Sequence, residues 1–180
     1  MSLHNPPFDF AGRCNEHDRM IASRFIGSLY RPPDLIIAPA GHGEYLFRWY
    51  VVPRNKEANV YFHVQTQSDP ERPLHDHPWD STSAILAGGY DEIVCEEPWI
   101  CNSPIHYQRK KRKPGDVIFR PASWAHRLIL PVGVPYSMSL FSTGPKVRDW
   151  GFWDKNGFIP FSEVTVETNG HSSWKRSMAE

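Results

Sequence analysis

Residues 75–80 read His-Asp-His-Pro-Trp-Asp, and residues 115–126 read Gly-Asp-Val-Ile-Phe-Arg-Pro-Ala-Ser-Trp-Ala-His. Side chains alternate between the two faces of a strand, so an extended first segment points His75 and His77 to the same face. His126 follows a Gly-Asp turn and a proline on a second predicted strand. Three imidazoles that converge inside a barrel make a site for a divalent ion such as iron, manganese, nickel, cobalt or zinc. The two segments therefore predict a metal site formed by three histidines.

The composition predicts one globular domain that is rich in β-structure. The chain has 180 residues, of which 40% are hydrophobic and 22% charged, which suits a packed core rather than disorder. Its 17 prolines and 12 glycines suit short strands joined by turns better than a helix bundle. The 20 basic and 20 acidic residues balance, so no overall charge favours nucleic acid. Apolar runs are too short to span a bilayer and no signal peptide is evident, so we expect a cytoplasmic protein without membrane contact.

The cysteine pattern indicates a reducing compartment. The chain has three cysteines, Cys14, Cys95 and Cys101, with no Cys-x-x-Cys spacing. An odd number at these spacings argues against a disulfide framework and against a cysteine-based zinc site. A disulfide between Cys95 and Cys101 across a hairpin is the alternative.

The hydrophobic pattern divides the chain into three parts. An N-terminal extension, residues 1–44, contains helical spacing over residues 15–30. Residues 45–145 carry the strand signals, and residues 146–180 form an aromatic C-terminal extension and tail. The predicted strands cover residues 45–52, 59–67, 74–77 continued past Pro78 into 81–88, 90–95, 106–111, 116–120, 126–130 and 136–142. Short strands with glycine and proline turns predict an antiparallel sandwich or barrel.

The basic run at residues 109–113, Arg-Lys-Lys-Arg-Lys, has two interpretations. It could bind phosphate or nucleic acid. We favour a solvated hairpin tip, because charges on an alternating strand project to both faces and the rest of the chain adds no basic surface.

The two histidine segments resemble the two sequence motifs of the cupin superfamily over about residues 60–142. The matching residues are His75, His77 and Gly88 in the first motif and Gly115, Pro121 and His126 in the second. Ser123 stands where the second motif usually has glycine. The resemblance implies an all-β fold, a double-stranded β-helix (the cupin jelly-roll barrel), here with a short N-terminal helix.

The fourth metal ligand is where the chain departs from the cupin pattern. Cupin sites usually add a carboxylate or amide oxygen after the second histidine, and Asp80 is the only acid nearby, while Ser81 sits at the common spacing. On a regular strand Trp79 and Ser81 share the face of the histidines and Asp80 faces away. A bulge at Pro78 would turn Asp80 inward. The site is therefore either three histidines with Asp80, or three histidines with open positions.

Four further residues are candidates for binding a substrate. Trp79 lies beside the ligands and could form an aromatic wall, although core packing is the alternative. His63 is on a neighbouring predicted strand and could line the pocket or support it from outside. Arg120, if it faces inward, could bind a substrate carboxylate through two parallel hydrogen bonds. Ser81 could contribute a hydroxyl.

The resemblance implies a metal-dependent enzyme that acts on a small molecule, foremost an Fe(II) dioxygenase and thus an oxidoreductase. Zn²⁺, Mn²⁺ or Ni²⁺ in the same site would support isomerisation or hydrolysis instead. One alternative is a non-catalytic cupin that binds a small molecule. Another is a metal-free sugar epimerase or isomerase, in which His75 and His126 would be catalytic. Cupins commonly form homodimers, so a homodimer is expected; a nucleic-acid partner is not, because the single helix supplies no DNA-binding pair.

Overall fold

A computed structural model describes residues 15–39, 41–97, 103–168 and 171–174. The strands are β1 (Leu35–Ile37), β2 (Leu46–Tyr50), β3 (Asn59–Gln65), β4 (Leu74–His75), β5 (Ser81–Ala87), β6 (Tyr90–Cys95), β7 (Gln108–Arg112), β8 (Val117–Arg120), β9 (Ala125–Ile129), β10 (Ser137–Thr143), β11 (Gly151–Asp154), β12 (Gly157–Pro160), β13 (Thr165–Thr168) and β14 (His171–Trp174). The predicted helix is present at Glu16–Ser28, and short helical turns lie at Pro104–His106 and Phe161–Val164. Within these ranges, no helix is long and apolar enough to cross a bilayer.

The strands form two six-stranded antiparallel sheets and a small separate hairpin of β13 and β14. The first sheet has the order β1-β2-β3-β10-β5-β8, and the second has the order β12-β11-β4-β9-β6-β7. From β3 to β10 the chain passes repeatedly from one sheet to the other, so several neighbouring strands, such as β3 and β10 or β4 and β9, are distant in sequence. This is a jelly-roll barrel, and the predicted all-β fold with one N-terminal helix is confirmed.

The segment around Pro78 differs from the prediction. The sequence pattern predicts one long strand broken at Pro78, whereas the structure places β4 in the second sheet and β5 in the first. Proline has no N–H for a ladder, so pairing stops there. The Pro78 carbonyl instead accepts a hydrogen bond from the Val147 N–H at 2.8 Å. The chain thus crosses between the sheets directly after the two motif histidines.

Gly88, the closing glycine of the first motif, directly follows β5 at a position where a larger residue would not fit. Its φ angle is 71°, a left-handed conformation that glycine adopts without strain. A Cβ atom on Gly88 would lie 1.9 Å from the Tyr136 carbonyl oxygen. The match of this glycine to the motif therefore has a steric cause.

The phase of β8 decides which of its side chains enter the barrel. Ile118 and Arg120 are buried, whereas Val117 and Phe119 are 71% and 58% exposed. Ile118 packs in a core cluster with Ile85 and Tyr90, against which Leu128 and Leu130 also pack. Leu128 and Leu130 share the inner face with His126 by strand alternation, and Arg120 also points inward.

Strands from both predicted extensions complete the sheets. β1 adds to β2 at one edge of the first sheet, and β11 pairs with β4 in the second. The aromatic segment at residues 150–153 thus enters a sheet beside the first motif. The division of the chain into an extension, a barrel and a tail stays a prediction.

Asp76, between the two motif histidines, joins β4 to this C-terminal segment. Its side chain is fully buried and accepts hydrogen bonds from the Gly151 N–H at 2.8 Å and from the Trp153 indole at 3.0 Å. Arg148 forms an ion pair with the same carboxylate. The outward-facing residue of the His-Asp-His motif therefore anchors the strand that flanks the histidines.

We expect Asp76→Ala to lower the free energy of unfolding by about 2–4 kcal/mol, because buried donors lose their acceptor. Urea unfolding followed by tryptophan fluorescence measures the change. Asp149→Ala is the matched control, since Asp149 is exposed and pairs only with Lys146 among the residues described. Equal stability of the two variants would contradict this account of Asp76.

The basic run is largely neutralised by acidic side chains of the neighbouring strand. Arg109 pairs with Asp91 at 2.6 Å, Lys110 pairs with Glu96, and Arg112 reaches Glu92 at 2.7 Å. These pairs join β7 to β6 at the edge of the second sheet. The arrangement favours the predicted solvated hairpin over a phosphate-binding surface.

Cys95 differs from the prediction of reduced cysteines, because its sulfur takes part in a disulfide bond. The other two cysteines, Cys14 and Cys101, lie outside the described residues. The compartment argument from cysteine count therefore loses its basis, and the cytoplasmic location stays a prediction.

Candidate metal centre

Three imidazoles converge on the inner face of the second sheet. His75 on β4 pairs in register with His126 on β9, and His77 follows two residues after His75. The ring centroids lie 4.9–5.2 Å apart, and one nitrogen from each ring lies within 4.8 Å of the others. The Nε2 atoms of His77 and His126 are 2.9 Å apart. These three side chains, which we call the histidine triad, direct their nitrogens toward one region.

The protonation of the triad suits a metal ion. Burial, followed by the charge of nearby groups, lowers the pKa of His75 and of His77 well below the ordinary 6.5. Neutral imidazoles keep a lone pair on one nitrogen, which is the form that binds metals. The His75 Nδ1 atom is also buried without a hydrogen-bond partner among the described residues. A buried nitrogen without a partner fits a site that a metal ion completes.

Glu92 orients His126. The Glu92 side chain is fully buried on β6, and its Oε1 atom accepts hydrogen bonds from His126 Nδ1 at 2.8 Å and Arg120 Nε at 2.6 Å. Arg112 donates to Oε2 at 2.7 Å. Burial acts to raise the pKa of Glu92, but the hydrogen bonds and charges of His126 and Arg120 outweigh it and hold the pKa below its ordinary value. A proton held on His126 Nδ1 leaves the Nε2 lone pair facing the triad.

The structure does not bring Asp80 to the triad. Its side chain is exposed, and its Oδ1 atom accepts a hydrogen bond from the Ala122 N–H at 2.8 Å. The predicted bulge that would turn Asp80 inward is absent, because the chain crosses to the other sheet after Pro78 and Asp80 faces the turn before β9. Ser81 is buried, yet it is not among the residues that line the cavity beside the triad. Among the described residues, the candidate donor set is therefore the three histidines.

A cavity of about 650 Å³ opens beside the triad and is lined by residues of both sheets. Trp79 stacks on His77 with ring centroids 4.9 Å apart and meets Phe141 edge-on at 5.7 Å. Trp150 and Phe161 stack at 4.1 Å and line the cavity from the C-terminal segment. The triad thus faces a cavity with aromatic walls.

The barrel, the triad and the cavity can be compared with known proteins. No protein-family model matches the chain, and no curated protein matches it. Solved structures do match the chain. HppE with iron(II) and substrate aligns with a TM-score of 0.50 at 11% identity, over 63% of this chain and 57% of that one.

Two further solved structures align with lower TM-scores. The DMSP lyase DddQ from Ruegeria pomeroyi DSS-3 aligns with a TM-score of 0.45 at 16% identity, over 61% of this chain and 52% of that one. A cupin superfamily protein from Desulfitobacterium hafniense DCB-2 aligns with a TM-score of 0.40 at 14% identity, over 56% of this chain and 78% of that one. The two six-stranded antiparallel sheets and the alignment with HppE show a jelly-roll barrel of the cupin type. At these identities the likeness concerns the fold alone.

Arg120 supports the cupin barrel from within. Its side chain is 2% exposed, and its Nε atom donates to Glu92. Its Nη1 atom donates to Ser83 Oγ at 2.9 Å, and its Nη2 atom donates to the Tyr90 hydroxyl at 3.1 Å. All three nitrogens therefore have protein acceptors. Arg120 holds Glu92 in place rather than presenting a free fork to a substrate carboxylate, which was the role predicted for it.

Two of the remaining sequence candidates lie at the cavity, and three residues of the site were missed. Trp79 and His63 line the cavity, which is one of the alternatives considered for each residue. Glu92, Trp150 and Phe161 were not predicted. The one signal for Glu92 was an acidic pair, Asp91-Glu92, inside a predicted apolar strand. Trp150 and Phe161 gave no signal, because only the pairing of β11 with β4 brings them to the cupin motif.

Proposed function

We propose that this cupin binds a divalent transition-metal ion through His75, His77 and His126 and transforms a small organic molecule held in the adjoining cavity. The observation that carries the proposal is the convergence of three histidines beside a cavity of about 650 Å³. Imidazole ligands suit iron, zinc, nickel and related ions. HppE, which shares the fold, holds iron(II), so Fe²⁺ is our first choice and Zn²⁺, Mn²⁺ or Ni²⁺ the alternatives.

Bound Fe²⁺ would supply Lewis acidity and redox chemistry, which supports a dioxygenase-type oxidoreductase. The residues of this chain would then have separate tasks. Glu92 would hold His126 in the ligating tautomer through the bond to Nδ1. Trp79 would fix the His77 ring by stacking. Phe141 and Trp150 would keep water away from the reacting molecule. A homodimer stays a prediction from the cupin resemblance.

The test is whether iron binds at the triad with a position open to a small molecule. We expect Fe²⁺-loaded wild type, treated with nitric oxide without oxygen, to give the EPR signal of a high-spin iron–nitrosyl complex. His77→Ala should lose this signal, because a ligand is missing. His106→Ala is the matched control, since His106 is exposed on the turn before β7.

Each outcome discriminates among the candidate functions. A signal of equal strength in His77→Ala would place the iron elsewhere and contradict the proposal. Binding of Zn²⁺ without any iron–nitrosyl signal would keep the metal site but exclude the dioxygenase. Folded protein that binds no metal would favour the metal-free epimerase or the non-catalytic binding protein.

A further inference from the structure

Arg48 presents an unpaired guanidinium edge to the cavity. It lies on β2, lines the cavity, and donates from Nε to the His63 Nε2 atom at 2.8 Å. Its guanidinium also lies over the Tyr61 ring, 4.8 Å from the centroid. Among the described residues, no carboxylate pairs with Arg48 and no acceptor contacts its two terminal nitrogens. The side of the guanidinium opposite to His63 is therefore available to a ligand.

The lining of the cavity has more positive than negative side chains. The arginines that line it are Arg48, Arg54, Arg72 and Arg120, of which Arg120 is already paired with Glu92, and the carboxylate that lines it is Asp69. Asp69 already accepts hydrogen bonds from the Leu128 N–H at 2.8 Å and from Gln65 at 3.5 Å. A cavity with this excess of cationic groups attracts anions and concentrates them.

His63 connects Arg48 to the triad. His63 stacks on Phe141 at 5.2 Å, and Phe141 also contacts His77 at 6.1 Å. Burial and then the charge of Arg48 lower the pKa of His63 well below 6.5, so the ring is neutral and its Nε2 accepts from Arg48. Arg48 on the first sheet and the triad on the second sheet thus line the same cavity, with His63 and Phe141 between them.

Arg48 is half-buried and has no counter-ion among the described residues, and arginine does not lose its proton in proteins. A bound anion would supply the missing partner. The two terminal nitrogens form a planar fork whose spacing matches a carboxylate. We propose that the small molecule acted on by this protein carries a carboxylate, which the terminal nitrogens of Arg48 bind while the rest of the molecule reaches the triad. The inference rests on the proposed function for the second contact only.

The test uses small acids and their neutral amides on the full-length, metal-free protein at constant ionic strength. The probes are propionate with propionamide and benzoate with benzamide, and the readouts are the melting temperature and calorimetric affinity. We expect saturable binding of the acids and none of the amides. Arg48→Gln should weaken acid binding roughly thirtyfold or more, the effect of removing one partner from a buried charged pair. Arg109→Gln, on the outer strand β7, should bind like wild type.

Arg48→Lys is the second variant, in case Arg48→Gln fails to fold. Lysine keeps the positive charge but lacks the two terminal nitrogens, so we expect the variant to fold and to bind the acids with lower affinity than wild type. The inference is wrong if no acid binds wild type, if the amides bind equally well, or if the folded Arg48 variants bind like wild type. It is also wrong in its assignment of a carboxylate if inorganic phosphate binds more tightly than both acids with the same dependence on Arg48.

Repeating the titration on Zn²⁺-loaded protein separates this inference from the proposed function. If the acids bind only when Zn²⁺ is present and bind the Arg48 variants as tightly as wild type, the inference is wrong and the proposed metal site stands. Acid binding that depends on Arg48 in a protein that takes up no metal would support the inference and overturn the proposed function.

Discussion

Replacing Glu92 with alanine lowers the free energy of unfolding by about 3–5 kcal/mol, the cost of removing one partner from a buried ion pair. Glu92 is fully buried and accepts from His126, Arg120 and Arg112. Without its carboxylate, the Arg120 guanidinium stays in the interior with no counter-charge. Denaturant unfolding measures the loss.

The matched control for this prediction is Glu96→Ala. Glu96 lies directly after β6 and pairs with Lys110, but its side chain is one-third exposed. Solvent screens such a pair, so we expect a loss within about 1 kcal/mol. If the two alanine variants are equally stable, Glu92 does not have the structural role assigned to it.

Glu92→Gln tests the second role of this residue, which is to orient His126. The amide keeps the shape of the side chain but loses the charge that favours a proton on His126 Nδ1. We expect metal affinity to fall tenfold to a hundredfold, the usual effect of losing an outer partner of a ligating histidine. Calorimetric titration with Zn²⁺ measures it, and an unchanged affinity in the folded variant would contradict the role.

Replacing either His77 or His126 with alanine abolishes stoichiometric metal binding. Each removes one of three ligands, so the loss exceeds that of Glu92→Gln. His63→Gln is the sharpest control: His63 lines the same cavity and contacts the same Phe141 ring, but it lies outside the triad. We expect it to bind metal like wild type. Equal loss in His63→Gln would mean that His63 is a ligand and that the donor set is misassigned.

Features that depend on short-range pattern were predictable from the sequence. The alternation that places His75 and His77 on one face, and the glycine–proline spacing before His126, gave the triad and the barrel. The inward direction of Leu128 followed from His126 by the same alternation. These predictions succeed because strand geometry fixes side-chain direction over a few residues.

Features that depend on pairing between distant strands were not predictable. Asp80 turns away from the triad because β5 joins the opposite sheet from β4, which no local signal at Pro78 specifies. Glu92 reaches His126 only through the register of β6 against β9. Arg120 was expected at the cavity as a substrate anchor, but the position of Glu92 makes it a structural partner. Trp150 enters the cavity through the pairing of β11 with β4.

The central claim is that the histidine triad holds a metal ion. The most direct measurement is plasma mass spectrometry of wild type, purified without an affinity-tag metal and then dialysed after reconstitution with Fe²⁺ or Zn²⁺, beside His75→Ala. We expect about one metal ion per chain in wild type and none above background in His75→Ala. Folded wild type that retains no metal under these conditions would contradict it.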